Sequence, residues 1–153
     1  VYIVRNPLDR IVSQWRHHRG RHPDCPNFKD LIKDRHMRKL ILGCSKYFEQ
    51  LSKFRAFYPD EQIHCMTFED LLDTPAHTLQ KTLKFLGVEP KVEHMLDQDG
   101  RIPQVNEAGT KGRQYVAKPK WGSKLKSKVL RRIQPDAMQM LAYMGKPSNY
   151  WNL

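Results

Sequence analysis

The sequence predicts an α/β layered domain built on a parallel sheet. Apolar strand-like runs alternate with stretches of helical periodicity, the pattern of strands joined by helical crossovers. Val1-Tyr2-Ile3-Val4 leads into one such stretch and Gln62–Phe68 into another. Only two strands are visible, too few for a stable sheet. The chain also begins at Val1, within a strand-like run, so the expectation is one partial domain, residues 1–153, lacking an N-terminal portion.

The elements follow in order. Asn6 is a good N-cap and Pro7 suits the first helical position, since its missing N–H would be unpaired there anyway. Leu8, Ile11, Val12 and Trp15 recur at helical spacing and give one buried face, with Ser13 off that stripe. Gly20 to Pro26 reads as loop, and Asn27 caps a short helix burying Phe28, Leu31 and Ile32. Ser45 is placed to cap the next helix, whose stripe of Tyr47, Leu51, Phe54 and Tyr58 reads as core and which Pro59 stops. Gln62–Phe68 is the second strand. Thr74 and Pro75 start a helix with Leu79, Leu83 and Leu86 inward and Gly87 as its stop. From Val88 to Lys120 periodicity is weak, and a loop of that length is either functional or disordered. Ser123–Ile133 and Pro135–Met144 read as two closing helices, with Trp151 sealing that end against the core.

The strand-to-helix corner carries the chemistry. Arg5-Asn6-Pro7-Leu8-Asp9-Arg10-Ile11-Val12-Ser13 ends a strand in an arginine, turns through a capped step and enters a helix bearing a serine. A guanidinium, a hydroxyl and a helix start are suited to an anionic group such as a phosphate. With Trp15, the segment resembles the 3′-phosphate-binding motif of sulfotransferases that use 3′-phosphoadenosine 5′-phosphosulfate (PAPS). Phe68-Glu69-Asp70-Leu71, Asp73-Thr74-Pro75 and Phe85-Leu86-Gly87-Val88 are similar to that family's middle portion. Gly109-Thr110-Lys111-Gly112-Arg113 resembles its late nucleotide-closing loop, nearest the branch that sulfates heparan-type glycans.

The resemblance implies a P-loop-like three-layer fold with a central parallel sheet, of which this chain is an incomplete C-terminal part. It implies that Arg5 and Ser13 bind the 3′-phosphate of the PAPS co-substrate. Lys111, Gly112 and Arg113 are implied as further nucleotide-binding residues: Gly112 admits close backbone approach and its neighbours add charge. The acceptor it implies is a hydroxyl or amine of a carbohydrate. The family's phosphosulfate-binding lysine and its acceptor-activating residue have no counterpart motif, since no GxxxxGK[ST] occurs. No catalytic residue is therefore assigned, and the chain alone is expected to be inactive.

Composition narrows the partners. With 27 Lys plus Arg against 16 Asp plus Glu, the net charge is +11, which favours anionic partners without choosing among them. Basic residues concentrate in Arg16–His22 and between Glu107 and Asp136, where no acid occurs. A basic nucleic-acid-binding domain and a kinase-like P-loop fragment are the alternatives. Against the first, aromatic residues mostly follow core periodicity and no nucleic-acid motif is present. No stretch approaches the ~18 apolar residues of a membrane span. Cys25, Cys44 and Cys65 form no ligand pattern, so no metal is expected; three thiols are favoured over one disulfide and a free thiol. His17, His18 and His22 read as exposed basic-loop members, and Glu69-Asp70 as structural. The cytoplasm is the favoured compartment, with the Golgi lumen as the alternative, and no pattern speaks to oligomeric state.

Overall fold

The computed structural model describes residues 1–103 and 115–153. The chain divides into two compact units, one made of Val1–Arg5 and the segment starting at Phe54, the other of Asn6–Lys53 and the C-terminal segment.

In the first unit, strand β1 (Tyr2–Val4) pairs parallel with strand β2 (Cys65–Thr67), in the register Tyr2↔Cys65, Ile3↔Met66 and Val4↔Thr67. The expected α/β class and parallel pairing are thus present. The second strand is shorter than Gln62–Phe68, because a 3-10 turn over Asp60–Gln62 takes up the start of that run. Thr67 ends the strand and caps helix α5 (Phe68–Asp73), its Oγ1 accepting from the Asp70 amide at 3.0 Å. Helix α6 (Pro75–Phe85) follows and packs on α5. Its buried line is not the expected leucines but Thr78 and Thr82, whose hydroxyls donate to the carbonyls of Asp70 and Thr78, each at 3.0 Å. Leu79 and Leu83 are half-buried and Leu86 is exposed. Gly87 stops the helix as expected, at φ 70°, a conformation that disfavours side chains with a Cβ.

In the second unit, helix α1 (Pro7–Arg21) buries Leu8, Ile11, Val12 and Trp15, the stripe its spacing predicts. Helix α2 (Phe28–Lys33), capped by Asn27, buries Phe28, Leu31 and Ile32, again as predicted. Helix α3 (Arg35–Gly43) has no counterpart among the expected elements; Asp34 caps it, and it packs on α1 and α2. Helix α4 (Tyr47–Arg55) buries Tyr47 and Leu51. The stripe ends there, because Phe54 and Tyr58 are exposed.

The C-terminal segment forms one helix, α7 (Ser123–Tyr143), and not two. Pro135 sits inside it on the exposed face. The ring removes one amide donor, and at a solvent-facing position water can satisfy the carbonyl left behind. Val129 and Ile133 of α7 close a core with α1, α2 and α3, where Phe28 meets Trp15 and Trp121 edge-on at 5.6 and 4.7 Å. Ala137, Met140, Leu141 and Trp151 are buried further along, Trp151 beside Tyr47 at 6.0 Å between ring centres. The expected sealing role of Trp151 holds.

Ser45 does not cap α4. It is buried, donates to the Ile41 carbonyl at 2.9 Å and accepts from Arg10 at 3.0 Å. The cap comes from Asp136 of α7, whose carboxylate accepts from the amides of Phe48 and Glu49 at 3.1 and 2.7 Å. Burial pushes the Asp136 carboxyl above its ordinary range, outweighing those two donors, which pull the other way.

Candidate functional site

Arg5 stands one residue beyond β1, and Phe68 one residue beyond β2. Parallel register carries each strand's next residue to the same end of the sheet, and the Arg5 Cζ lies 4.8 Å from the Phe68 ring centre. The attraction of the guanidinium to the aromatic face contributes about 0.5–2 kcal/mol. Its Nε is buried with no hydrogen-bond partner among the described residues, and none of their carboxylates pairs with it. A buried donor left in that state costs about 1–3 kcal/mol, so the arrangement favours an incoming acceptor.

Ser13 lies in the second unit, exposed on α1, and its hydroxyl makes no hydrogen bond among the described residues. The helix start is less available than expected. Asn6 Oδ1 accepts from the amides of Leu8 and Asp9 at 2.9 and 3.4 Å, and Pro7 has no donor. The helix dipole remains, but these first-turn amides are already engaged.

Two residues that flank Ser13 on its helical face escaped the sequence reading. Asp9, Ser13 and Arg16 share a stripe by their i, i+4, i+7 spacing. Asp9 pairs with Lys118 at 3.0 Å, and Arg16 Nε donates to the Val116 carbonyl at 2.7 Å, its Cζ lying 6.0 Å from the Tyr115 ring centre. The segment Tyr115–Lys118 is therefore tied along the face that carries Ser13. No local signal announces an ion pair between residues so far apart in the chain. Lys111, Gly112 and Arg113, together with Thr110, lie outside the described residues.

His64, Cys65 and Cys25 are engaged in structure, whereas Cys44 is an exposed free thiol. His64 Nε2 lies 3.1 Å from Thr82 Oγ1 and its ring stacks on Phe85 at 5.1 Å, so it is a satisfied, half-buried histidine. Burial lowers its pKa, with the Lys81 ammonium acting the same way. Cys65 is half-buried and its thiol is pushed up to about 11 by burial, so it is not an activated nucleophile. Cys25 is buried and likewise raised, by burial ahead of the opposing pull of Arg19. His18 and His22 approach with ring centres 4.6 Å apart, but no group of three metal-binding side chains occurs among the described residues. Among those residues no helix is long and apolar enough to cross a membrane.

Comparison with known proteins identifies the family. Residues 1–131 match the family model for the sulfotransferase domain. The chain is 24% identical over 176 residues to the bifunctional heparan sulfate N-deacetylase/N-sulfotransferase 2 of Mus musculus, aligning 99% of this chain with 20% of that protein. A crystal structure of a sulfotransferase from Alicyclobacillus acidocaldarius shares the fold, with a TM-score of 0.70 and 16% identity, over 99% of this chain and 56% of that one. The chain therefore spans a fifth of the curated relative and just over half of the solved one. The family match runs from the first strand into α7, well over half of the chain, and the chain belongs to the sulfotransferase family.

Proposed function

We propose that this chain is the 3′-phosphate-binding part of a PAPS-dependent sulfotransferase acting on a hydroxyl or amine of a carbohydrate acceptor. Arg5 and Ser13 bind the 3′-phosphate, and Lys111, Gly112 and Arg113 complete the nucleotide site. In the reaction the sulfuryl group leaves the phosphosulfate for the acceptor oxygen or nitrogen, releasing adenosine 3′,5′-bisphosphate and an acceptor proton. The residues of this chain contribute by holding the nucleotide so that the phosphosulfate is positioned for in-line attack. The carbohydrate acceptor is supported by the heparan sulfate N-sulfotransferase relative.

One observation carries the reading. Arg5 offers a buried, unpartnered Nε on a guanidinium clamped by Phe68, at the strand end where the family motif begins. A charge-assisted contact of this kind contributes about 1.5–3 kcal/mol, which is roughly a ten- to hundredfold change in affinity. Titration calorimetry of the protein with adenosine 3′,5′-bisphosphate and with 5′-AMP tests it. Arg5→Ala is expected to weaken the bisphosphate by that factor and leave 5′-AMP nearly unchanged; Ser13→Ala does the same more mildly. Equal losses for both nucleotides would remove the 3′-phosphate assignment.

A further inference from the structure

A second basic feature lies in the second unit, on residues that the nucleotide site does not use. A recess of about 500 Å³ is lined by Arg35, Arg38 and Lys39 of α3, Lys46 and Glu49 at the start of α4, and Arg132 of α7. Five cations thus face one carboxylate. That carboxylate is already taken, since Lys46 Nζ lies 2.7 Å from Glu49 Oε2. Arg38 donates to the Lys33 carbonyl at 3.4 Å. Arg35, Lys39 and Arg132 have no hydrogen bond or ion pair among the described residues.

This is more than a solvated helix face. The cations come from three elements around one concavity, where low-dielectric walls focus the field. Arg35 and Lys39 sit four apart on α3, and Lys128 and Arg132 four apart on α7, spacings at which like charges weaken a helix. Arg38 and Arg132 also line a smaller adjoining recess with Lys33 and Lys128, so the positive surface continues past the first cavity. A single dianion is too small to meet cations spread over two recesses; a chain bearing repeated anionic groups is not.

The lining also selects the kind of chain. It contains no aromatic side chain on which a base could stack, which disfavours single-stranded nucleic acid. Leu42 and Gly43 are the uncharged residues of the larger recess, so nothing in its lining but charge and backbone meets the ligand. We propose that this α3–α4–α7 recess binds an acidic polysaccharide through its sulfate or carboxylate groups. The proposal goes beyond the transfer reading, because binding here requires neither nucleotide nor catalysis.

The test is fluorescence anisotropy of the protein with a labelled, sulfated and carboxylated hexasaccharide, without nucleotide, across a salt series. Arg35→Gln/Lys39→Gln/Arg132→Gln is expected to weaken binding at least about tenfold near 0.1 M salt. The slope of log affinity against log salt should fall by about two, three lost contacts at roughly 0.7 each. These side chains are exposed, so circular dichroism should be unchanged; Arg35→Lys/Arg132→Lys should retain most of the affinity. A triple variant within twofold of wild type would overturn the proposal. So would an oligodeoxynucleotide or polyphosphate of matched charge that binds more tightly and shows the same loss. Loss of hexasaccharide binding with intact bisphosphate binding separates this site from the nucleotide site.

Discussion

The two units solve the burial problem differently. The second closes an apolar core from four helices, with Ile11, Ile133 and Trp151 at or below 1% exposure. The first leaves Ile3, Phe57, Leu72 and Val88 about half exposed or more, and lays threonines along the buried line of α6. Its hydrogen bonds include one that the Asp70 amide of α5 donates to Thr67 and those that Thr78 and Thr82 donate to backbone carbonyls. The difference teaches where mutational cost should concentrate. A side chain already in water has little to lose, whereas one inside a closed core leaves a cavity.

The largest expected effect follows directly. Ile133→Ala should destabilise the second unit by about 3–4 kcal/mol, while Leu72→Ala in the first should stay within about 0.5 kcal/mol. All three tryptophans, Trp15, Trp121 and Trp151, belong to the second unit, so fluorescence-monitored urea unfolding reads Ile133→Ala, while hydrogen exchange at the Val4 and Met66 amides reads Leu72→Ala in the first. Comparable losses from the two substitutions would break the contrast.

Next in size is the cap that α7 supplies to α4. Asp136→Ala removes the acceptor for the Phe48 and Glu49 amides and should cost about 2 kcal/mol. The pH dependence has a definite sign. The folded carboxyl lies above its unfolded value, so the native state binds the proton more tightly. The stability tied to its titration is fully present below the unfolded pKa, near 3.8, and is lost as pH rises through the folded pKa. Mild acidification should therefore stabilise the wild type relative to Asp136→Asn, as read by tryptophan fluorescence. The opposite trend would mean that the two amide donors, and not burial, set this pKa.

That cap also shows what was legible in the sequence. α1 and α2 could be read because their caps and stripes are local: Asn6 and Asn27 sit within a turn of the amides they bind. The Ser45 assignment failed because a competing acceptor arrives from 88 residues away, where no periodicity reaches. Pro135 invited a helix break, but its exposed position leaves the displaced carbonyl accessible to water. The leucines of α6 suggested a buried face that threonines occupy instead, since their hydroxyls satisfy backbone acceptors. A contiguous motif singles out Arg5 and Ser13, whose shared role is a proposal. The support from Phe68, Asp9 and Arg16 was not legible, because strand register and distant segments supply it.

The smallest effect separates the units by the direction of their response to acid. His64, in the first unit, is held below its ordinary value, mainly by burial between Thr82 and Phe85. Here the unfolded chain binds the proton more readily, so stability is fully present above about 6.5 and is lost as pH falls through the folded pKa. With the ring only partly buried, solvent screening keeps the effect well under about 1 kcal/mol. Hydrogen exchange at the Val4 and Met66 amides, in the strand pair, should quicken between pH 7 and 5 relative to His64→Gln, once the intrinsic pH dependence is removed. Asp136, in the second unit, responds to acid with the contrary sign. A His64 midpoint at or above 6.5, followed by NMR, would show that the ring is charged at no cost in the folded state, and the opposition between the units would then rest on Asp136 alone.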